Sequence, residues 1–512
     1  MSELGFWRLA AADPAARAVV EPDGATVTRG ELLARANATA RLLRDLGLDR
    51  GDRVVGVVAN ESWAIALVLA CQQAGAYYVP INTALTTTEV GHIVEDAGPV
   101  AVLCSLAYAD TVRAAADTVG LPAERRLAFG AADGFRDLTT EVAGVPTGPV
   151  ENRTPGSYLG YTSGTTGRPK GVLRRLPEGD PDDVFAAGAA WQLGMFGITP
   201  LDDGVHLVTS PLSHTAVSGL AVTSLHYGHA VVLTSRFDAE QVLRLIQEHR
   251  VTTTHMVPTQ LHRLLRLPEE TRAAYDVGSM RNLVHGAGPC PPSVKRAVIA
   301  WFGPVVWEYY GATEAAGTAI SSAEWLERPG SVGRPQPGAE VRILDEHGTE
   351  VPTGTDGAVY LRMGAHAFEY RGDDAKTQAG RVGDFVTVGD LGHLDEDGYL
   401  FLLGRSAEVI VSGGVNIYPA EVEAALLEHP DIQDAGVVGL PDPEWGELSC
   451  AVLQVVPGSP LYGDDVAGQL APFLHDRLAR YKVPRQYQVV AELPRGANGK
   501  LRKHLLPDLV RK

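Results

Sequence analysis

Between residues 29 and 104, stretches with helical apolar spacing alternate with short apolar runs, and few folds accommodate that alternation. "RGELLARANATARLLRDLG" has helical spacing and ends at a glycine. "DRVVGVVAN" then reads as a buried strand, and "SWAIALVLACQQAG" as a second helix. The pattern recurs in "GHIVEDAGPVAVLC" and "AEQVLRLIQEHRVTTTHMV", and it predicts an α/β protein with largely parallel sheets. Near residue 340 the texture changes. "EVRILDEHGTEVPTGTDGAVYLR" and "GHLDEDGYLFLLGR" are strands broken by Asp-Gly, His-Gly and Thr-Gly pairs, which predict hairpins in a smaller β-rich unit. After Gly404 and Arg405, "VEAALLEHPDIQDAGVVGLPD", "LSCAVLQVV" and a helix near "VAGQLAPFLHDRLARY" read as a compact α+β domain. The boundary falls at residues 404 to 408. It separates a large N-terminal domain, 1–404, of parallel-sheet α/β subdomains plus the β-rich subdomain, from a small α+β domain, 405–512.

At 512 residues the chain exceeds a usual single domain, so more than one packed unit is expected. No apolar run approaches the roughly 18 residues of a membrane span. The best, "WAIALVLAC", meets Gln72 and Gln73 at once. No secretory signal is readable at the N-terminus, so a cytoplasmic location is expected. Cys71, Cys104, Cys290 and Cys450 lie far apart with no C-x-x-C pair, which argues against a zinc site or a disulfide framework and for buried small apolar residues. A net charge of −18 argues against general nucleic-acid binding. One local reversal runs through Arg477, Arg480, Lys482, Arg485, Arg495, Lys500, Arg502, Lys503, Arg511 and Lys512. It reads either as a solvated surface or as a cradle for an anionic ligand.

"YTSGTTGRPKG", residues 161–171, has almost nothing that could pack a core. Gly164 and Gly167 let the backbone approach a ligand; Thr162, Ser163, Thr165 and Thr166 offer hydroxyl and amide donors; Lys170 adds a compact positive charge. A polyphosphate needs that combination. The stretch is not a P-loop, because glycine follows Lys170 and the first glycine is wrongly spaced; by itself it could also be a surface turn.

This stretch resembles the phosphate-binding signature of the adenylate-forming superfamily, which includes acyl-CoA synthetases, aryl-CoA ligases, luciferases and nonribosomal-peptide adenylation domains. Six further stretches resemble its signatures, in its order: "PLSHTA" at 211–216, "HGAGPC" at 285–290, "YYGATE" at 309–314, "VGDLG" at 388–392, "GRSAEVIVSGGVNIYPAEVE" at 404–423 and "PRGANGK" at 494–500. Together they run from residue 161 to residue 500.

The resemblance implies an ATP-dependent acyl-CoA synthetase that forms an acyl-AMP and then a thioester, with ATP, Mg²⁺ and coenzyme A bound. It implies that Thr162, Ser163, Gly164, Thr165, Thr166, Gly167 and Lys170 hold the β- and γ-phosphates, that Thr313 bonds the α-phosphate, and that Glu314 places the metal. Adenine would sit among Gly286, Ala287, Gly288, Pro289 and the Tyr309–Tyr310–Gly311 stretch, with Glu308 near the exocyclic amine. Asp390 and Arg405 would take the ribose hydroxyls, and Lys500 would pair the substrate carboxylate with the α-phosphate. His214 would gate the acyl tunnel. Bland alternatives stay open: a core aromatic at Tyr310, a turn residue at Asp390, a solvated lysine at Lys500, a core histidine at His214.

For the second step the resemblance implies that residues 405–512 rotate about the hinge and that Gly413 and Gly414 line the thiol path; the pair could instead make a tight turn. The hinge departs from many relatives in carrying Ala407 before Glu408. The basic run would partly serve the phosphates of CoA. "PLSHTA" lacks the aspartate that pairs an amino-acid ammonium, and "HTAVSGLAVTS" and "GATEAAGTAI" are built of small residues. If these segments line the acyl pocket, with no charge beyond Glu314, a wide pocket for a bulky or branched hydrophobic acid is expected, unless larger residues elsewhere in the fold fill the space; the resemblance leans the same way, towards ligases of fatty, steroid-like or terpenoid acids. The partners expected are that acid, ATP and CoA, with no nucleic acid and a homodimer admitted. Two other functions remain: loading of a carrier-protein thiol, and a non-catalytic acyl- or nucleotide-binding role.

Overall fold

Thr28 caps the helix Arg29–Asp45 by accepting from the Glu31 amide while Glu31 reaches back to Thr28, and Thr86 and Glu89 do the same for Thr87–Ala97. The helix Ser62–Ala74 ends at Gly75, whose φ of 76° suits the left-handed C-terminal cap. The computed structural model describes residues 3–162, 170–312, 315–363, 368–373, 377–378, 380–463, 465–496 and 499–510. It divides into two units, one made of 1–256, 267–284 and 365–379, the other of 257–266, 285–364 and 380–512.

In the first unit a six-stranded sheet runs Arg136–Asp137, Arg126–Ala128, Ala101–Cys104, Arg53–Val57, Tyr77–Pro80, Ser157–Tyr158, every pair parallel. Alternate residues of its strands enter two cores. Val54 and Leu103 pack with the helices Arg29–Asp45 and Ser62–Ala74, whereas Val55, Val57, Val102 and Cys104 pack with Thr87–Ala97 and Ala109–Thr118. Burial on both faces is why these strands lack a polar stripe. A second sheet sets Arg17–Val20, Ala230–Leu233, Val205–Val208 and Thr253–Met256 side by side in parallel, with Thr26–Thr28 antiparallel at its edge. A third, small antiparallel sheet joins Gly160–Thr162, Lys170–Arg174 and Phe368–Tyr370.

The second unit holds the β-rich part. Ala339–Leu344 pairs antiparallel with Gly357–Met363, and Asp390–Leu394 with Leu400–Arg405, as the turn dipeptides predict. It also holds Ile410–Ser412, Val415–Ile417, Ile432–Asp442, Gly446–Val455 and Gln486–Val490 in one sheet, packed through Ile417, Val437 and Leu453 on Val422 and Leu426 of the helix Pro419–Leu427 and Leu470 and Leu474 of Val466–His475. Cys71, Cys104 and Cys450 are buried, and Cys290 is half-buried. No helix among the described residues is long and apolar enough to cross a membrane.

Candidate functional site

In the first unit Thr162 stands opposite Lys170 across two antiparallel strands, so the intervening seven residues link the two ends of a hairpin. Ser163, Gly164, Thr165, Thr166 and Gly167 lie outside the described residues, as do Thr313 and Glu314. The Lys170 ammonium is ion-paired with Asp373. His214 occupies the N-cap of the helix Thr215–His226 and is half-buried. Near it His255 is buried, and desolvation, with the nearby His214 and His206, lowers its pKa to about 3. A neutral imidazole there adds no charge to its surroundings.

In the second unit the strands Val306–Gly311, Asp390–Leu394 and Leu400–Arg405 carry a small polar constellation. The Tyr310 phenol donates to Asp390 Oδ2 at 2.7 Å, and Arg405 Nε donates to Asp390 Oδ1 at 3.3 Å from the residue directly opposite in the hairpin. Asp390 is 8% exposed, and burial together with its carboxylate pushes the Tyr310 phenol far above its ordinary range. An oriented carboxylate flanked by a phenol and a guanidinium can accept from a pair of adjacent hydroxyls.

Gly286 lies so close to Tyr309 that a Cβ would stand 2.7 Å from its carbonyl oxygen, which explains the glycine. Ala287 follows with φ 65°, in the left-handed region that an alanine rarely adopts. Gly288 and Pro289 are exposed, and Tyr309, Tyr310 and Gly311 are half-buried. Glu308 is buried, and Lys295 Nζ donates to its Oε2 at 2.6 Å. Nothing in a local motif announces Lys295. One signal was available, since the helix Pro292–Phe302 buries Val298, Ile299 and Phe302, and Lys295 sits on that stripe at i−3, i−4 and i−7.

Lys500 is exposed on a turn in which Gly496 donates to the Lys500 carbonyl and Gly499 to the Gly496 carbonyl, each at 2.8 Å. Arg495 fixes this turn. Its Nε and Nη2 reach both oxygens of Asp434 at 2.6 Å, and Nη1 donates to the Gly499 carbonyl at 2.8 Å. Gly499, with φ 75°, rests against Val257 and accepts from the Thr259 hydroxyl. Glu408 shares Lys503 with Glu423, at 2.9 and 3.0 Å.

Gly413 and Gly414 form the two-residue turn between Ile410–Ser412 and Val415–Ile417, with φ 59° and 80°. A Cβ at Gly413 would stand 2.8 Å from the Trp445 ring, whereas space is open at Gly414. Within the basic run Arg477, Lys482, Arg495 and Lys503 are paired with Glu428, Glu421, Asp434 and the Glu408–Glu423 couple. Among the described residues no group of three His, Cys, Asp or Glu side chains gathers as a metal site.

The family described as "AMP-binding enzyme" matches residues 6–370, and "AMP-binding enzyme C-terminal domain" matches residues 421–500. The chain is 34% identical over 504 residues to a 2-succinylbenzoate–CoA ligase of Bacillus licheniformis, covering 96% of this chain and 98% of the relative. It is 31% identical over 497 residues to the fatty acid–[acyl-carrier-protein] ligase ScoC of Streptomyces coeruleorubidus, covering 95% of this chain and 92% of the relative. Among solved structures it resembles the amide bond synthetase McbA of Marinactinospora thermotolerans, with a TM-score of 0.84, 30% identity and 98% of each chain covered.

Proposed function

The chain belongs to the AMP-binding enzyme family, and on that premise we propose that it is an ATP-dependent acyl-CoA synthetase for a hydrophobic, bulky carboxylic acid. The observation that carries this reading is the constellation of Tyr310, Asp390 and Arg405, a buried, doubly oriented carboxylate suited to the ribose hydroxyls of a nucleotide. In the first step an oxygen of the acid attacks the α-phosphorus of ATP, the bond to pyrophosphate breaks, and an acyl-AMP remains. Two anions must meet for this. Lys500 supplies charge between them, and Lys170 supplies charge at the far phosphates once Asp373 is displaced. Magnesium, when bound at Glu314, would neutralise charge on the phosphate oxygens.

In the second step a thiol sulfur attacks the acyl carbon, AMP departs with the carbon–oxygen bonding pair, and the thiol proton passes to solvent. Residues 405–512 would form the mobile domain that withdraws Lys500 and presents Gly413 and Gly414. Coenzyme A is the acceptor proposed; the likeness to ScoC favours a carrier-protein thiol as the second reading. The small residues of "HTAVSGLAVTS" support a wide acyl pocket.

Acid-dependent exchange of pyrophosphate into ATP, run with acetate, octanoate, benzoate and a polycyclic acid, tests the reaction and the acid together. A tenfold or greater preference for acetate or benzoate would refute the wide pocket. No exchange with any acid would refute the ligase. Product mass with CoA against a holo-carrier protein separates the two acceptors.

A further inference from the structure

Lys295 has no exposed surface at all. A buried ammonium is strongly unfavourable unless something holds it, and here the Glu308 carboxylate does, with the Trp325 ring centroid 4.9 Å from Nζ. The other titratable groups facing the carboxylate are His285, whose Nε2 lies 3.9 Å from the same Oε2, and the half-buried Cys290 thiol. The carboxylate is thus occupied on one oxygen only. Oε1 accepts no hydrogen bond among the described residues, and the Glu308 side chain keeps 8% exposure while that of Lys295 keeps none. The neighbouring residue, Tyr309, lies directly against Gly286 at the start of the 286–289 loop.

We propose that Lys295 is a positioning residue of the nucleotide site: it holds the Glu308 carboxylate, which the resemblance already places near the exocyclic amine of adenine, so that Oε1 accepts from a 6-amino purine and repels a 6-oxo purine. This rests on the reading that the 286–289 loop and residues 308–310 receive the base of ATP. The chemistry is one-sided. An ionised carboxylate only accepts, so it bonds an exocyclic amine and opposes a carbonyl oxygen, whereas a carboxamide or a protonated carboxyl can turn and donate. Burial pushes the Glu308 carboxyl up and the Lys295 ammonium down, and each charge offsets the other's desolvation. Without the lysine the carboxyl would hold its proton and lose its selectivity.

The test is direct binding of ATP and of ITP, whose base carries a 6-oxo group, by calorimetry. The proteins are the wild type, Glu308→Gln, Lys295→Met and the double variant Lys295→Met/Glu308→Gln. The wild type should favour ATP by about 100-fold or more, short of the roughly 10⁴–10⁵-fold that sites built to bond a substrate N–H can reach. Glu308→Gln should cut that ratio at least about tenfold, chiefly by tightening ITP. Lys295→Met should cut it similarly at pH 7 and regain it as pH rises and the carboxyl ionises. The double variant, a neutral pair, should restore the melting temperature while keeping the low ratio. A ratio unchanged in folded variants whose melting temperature falls would show the pair to be structural and overturn the proposal alone. A wild type that binds neither nucleotide would overturn the ATP reading as well.

Discussion

Replacing Asp434 by asparagine leaves the residues of the Lys500 turn intact but removes the charge that fixes it. The Arg495 fork reaches both Asp434 oxygens at 2.6 Å, with side chains only 18% and 12% exposed, and the same guanidinium holds the Gly499 carbonyl. Asparagine keeps one acceptor oxygen and presents an amide to the second guanidinium nitrogen. A hydrogen bond to a charged group contributes about 1.5–3 kcal/mol, and with one bond retained the loss is about 1.5–2 kcal/mol. At about 1.4 kcal/mol per factor of ten, the turn should hold its place ~10–30-fold less often. Single-turnover acyl-AMP formation should slow by that factor. Thioester formation from supplied acyl-AMP should stay within about twofold. Lys500→Ala should slow the first step by about 10²–10³-fold, and adding Asp434→Asn to it should cost nothing more, because the ion pair acts through Lys500. Equal loss in both half-reactions, or additive losses in the double variant, would refute this role.

Three other outcomes are expected. Gly413→Ala should lower the melting temperature, because φ of 59° and the Trp445 ring both oppose a side chain, whereas Gly414→Asn, with open space and a left-handed preference, should not. If Gly414 borders the thiol path, Gly414→Asn should slow CoA turnover with pyrophosphate exchange intact; unchanged turnover would leave only the turn. Asp373→Asn frees Lys170 from a partly exposed ion pair and should lower KM for ATP by about threefold, checked by initial rates. His226 accepts from the Phe6 amide on Nδ1, meets Gln72 through Nε2, and has its pKa lowered from 6.5 to about 3 by burial. The unfolded chain therefore gains a proton below pH 6.5 that the fold refuses until about pH 3, so stability falls with pH across that window, by up to about 1.4 kcal/mol per unit. Denaturant titrations of His226→Gln should show a shallower acid loss, and parallel curves would contradict this.

The elements that could be read directly are those whose evidence is local. The helix Ser62–Ala74, the strand Arg53–Val57 and the hairpin Asp390–Leu394/Leu400–Arg405 each announce themselves by apolar period, a glycine cap or a turn dipeptide. The pairing of Asp390 with Arg405 follows from such a hairpin, because a short turn sets the register. Contacts between distant positions leave no such mark. Arg495 and Asp434 are 61 residues apart, and neither looks unusual among its neighbours. Lys295 leaves a trace, as a charge on an apolar stripe, but lysines are common in helices and one on a stripe is a weak mark. The basic run left two readings open for a related reason: charge counted along the chain says nothing of the acids that fold back on it, such as Glu421, Glu423 and Glu428.

The sheet that carries Lys170 is finished only by Phe368–Tyr370, whose register sets Val172 against Tyr370. During synthesis the first two strands of that sheet leave the ribosome long before the third. At about 5–20 residues per second the wait for the intervening ~200 residues is roughly 10–40 s. Through that interval Lys170–Arg174 has an unpaired edge, open to the wrong strand or to another nascent chain. A chain stopped before residue 368 would keep that edge for good, so fragments ending there should depend on chaperones more than the full chain does.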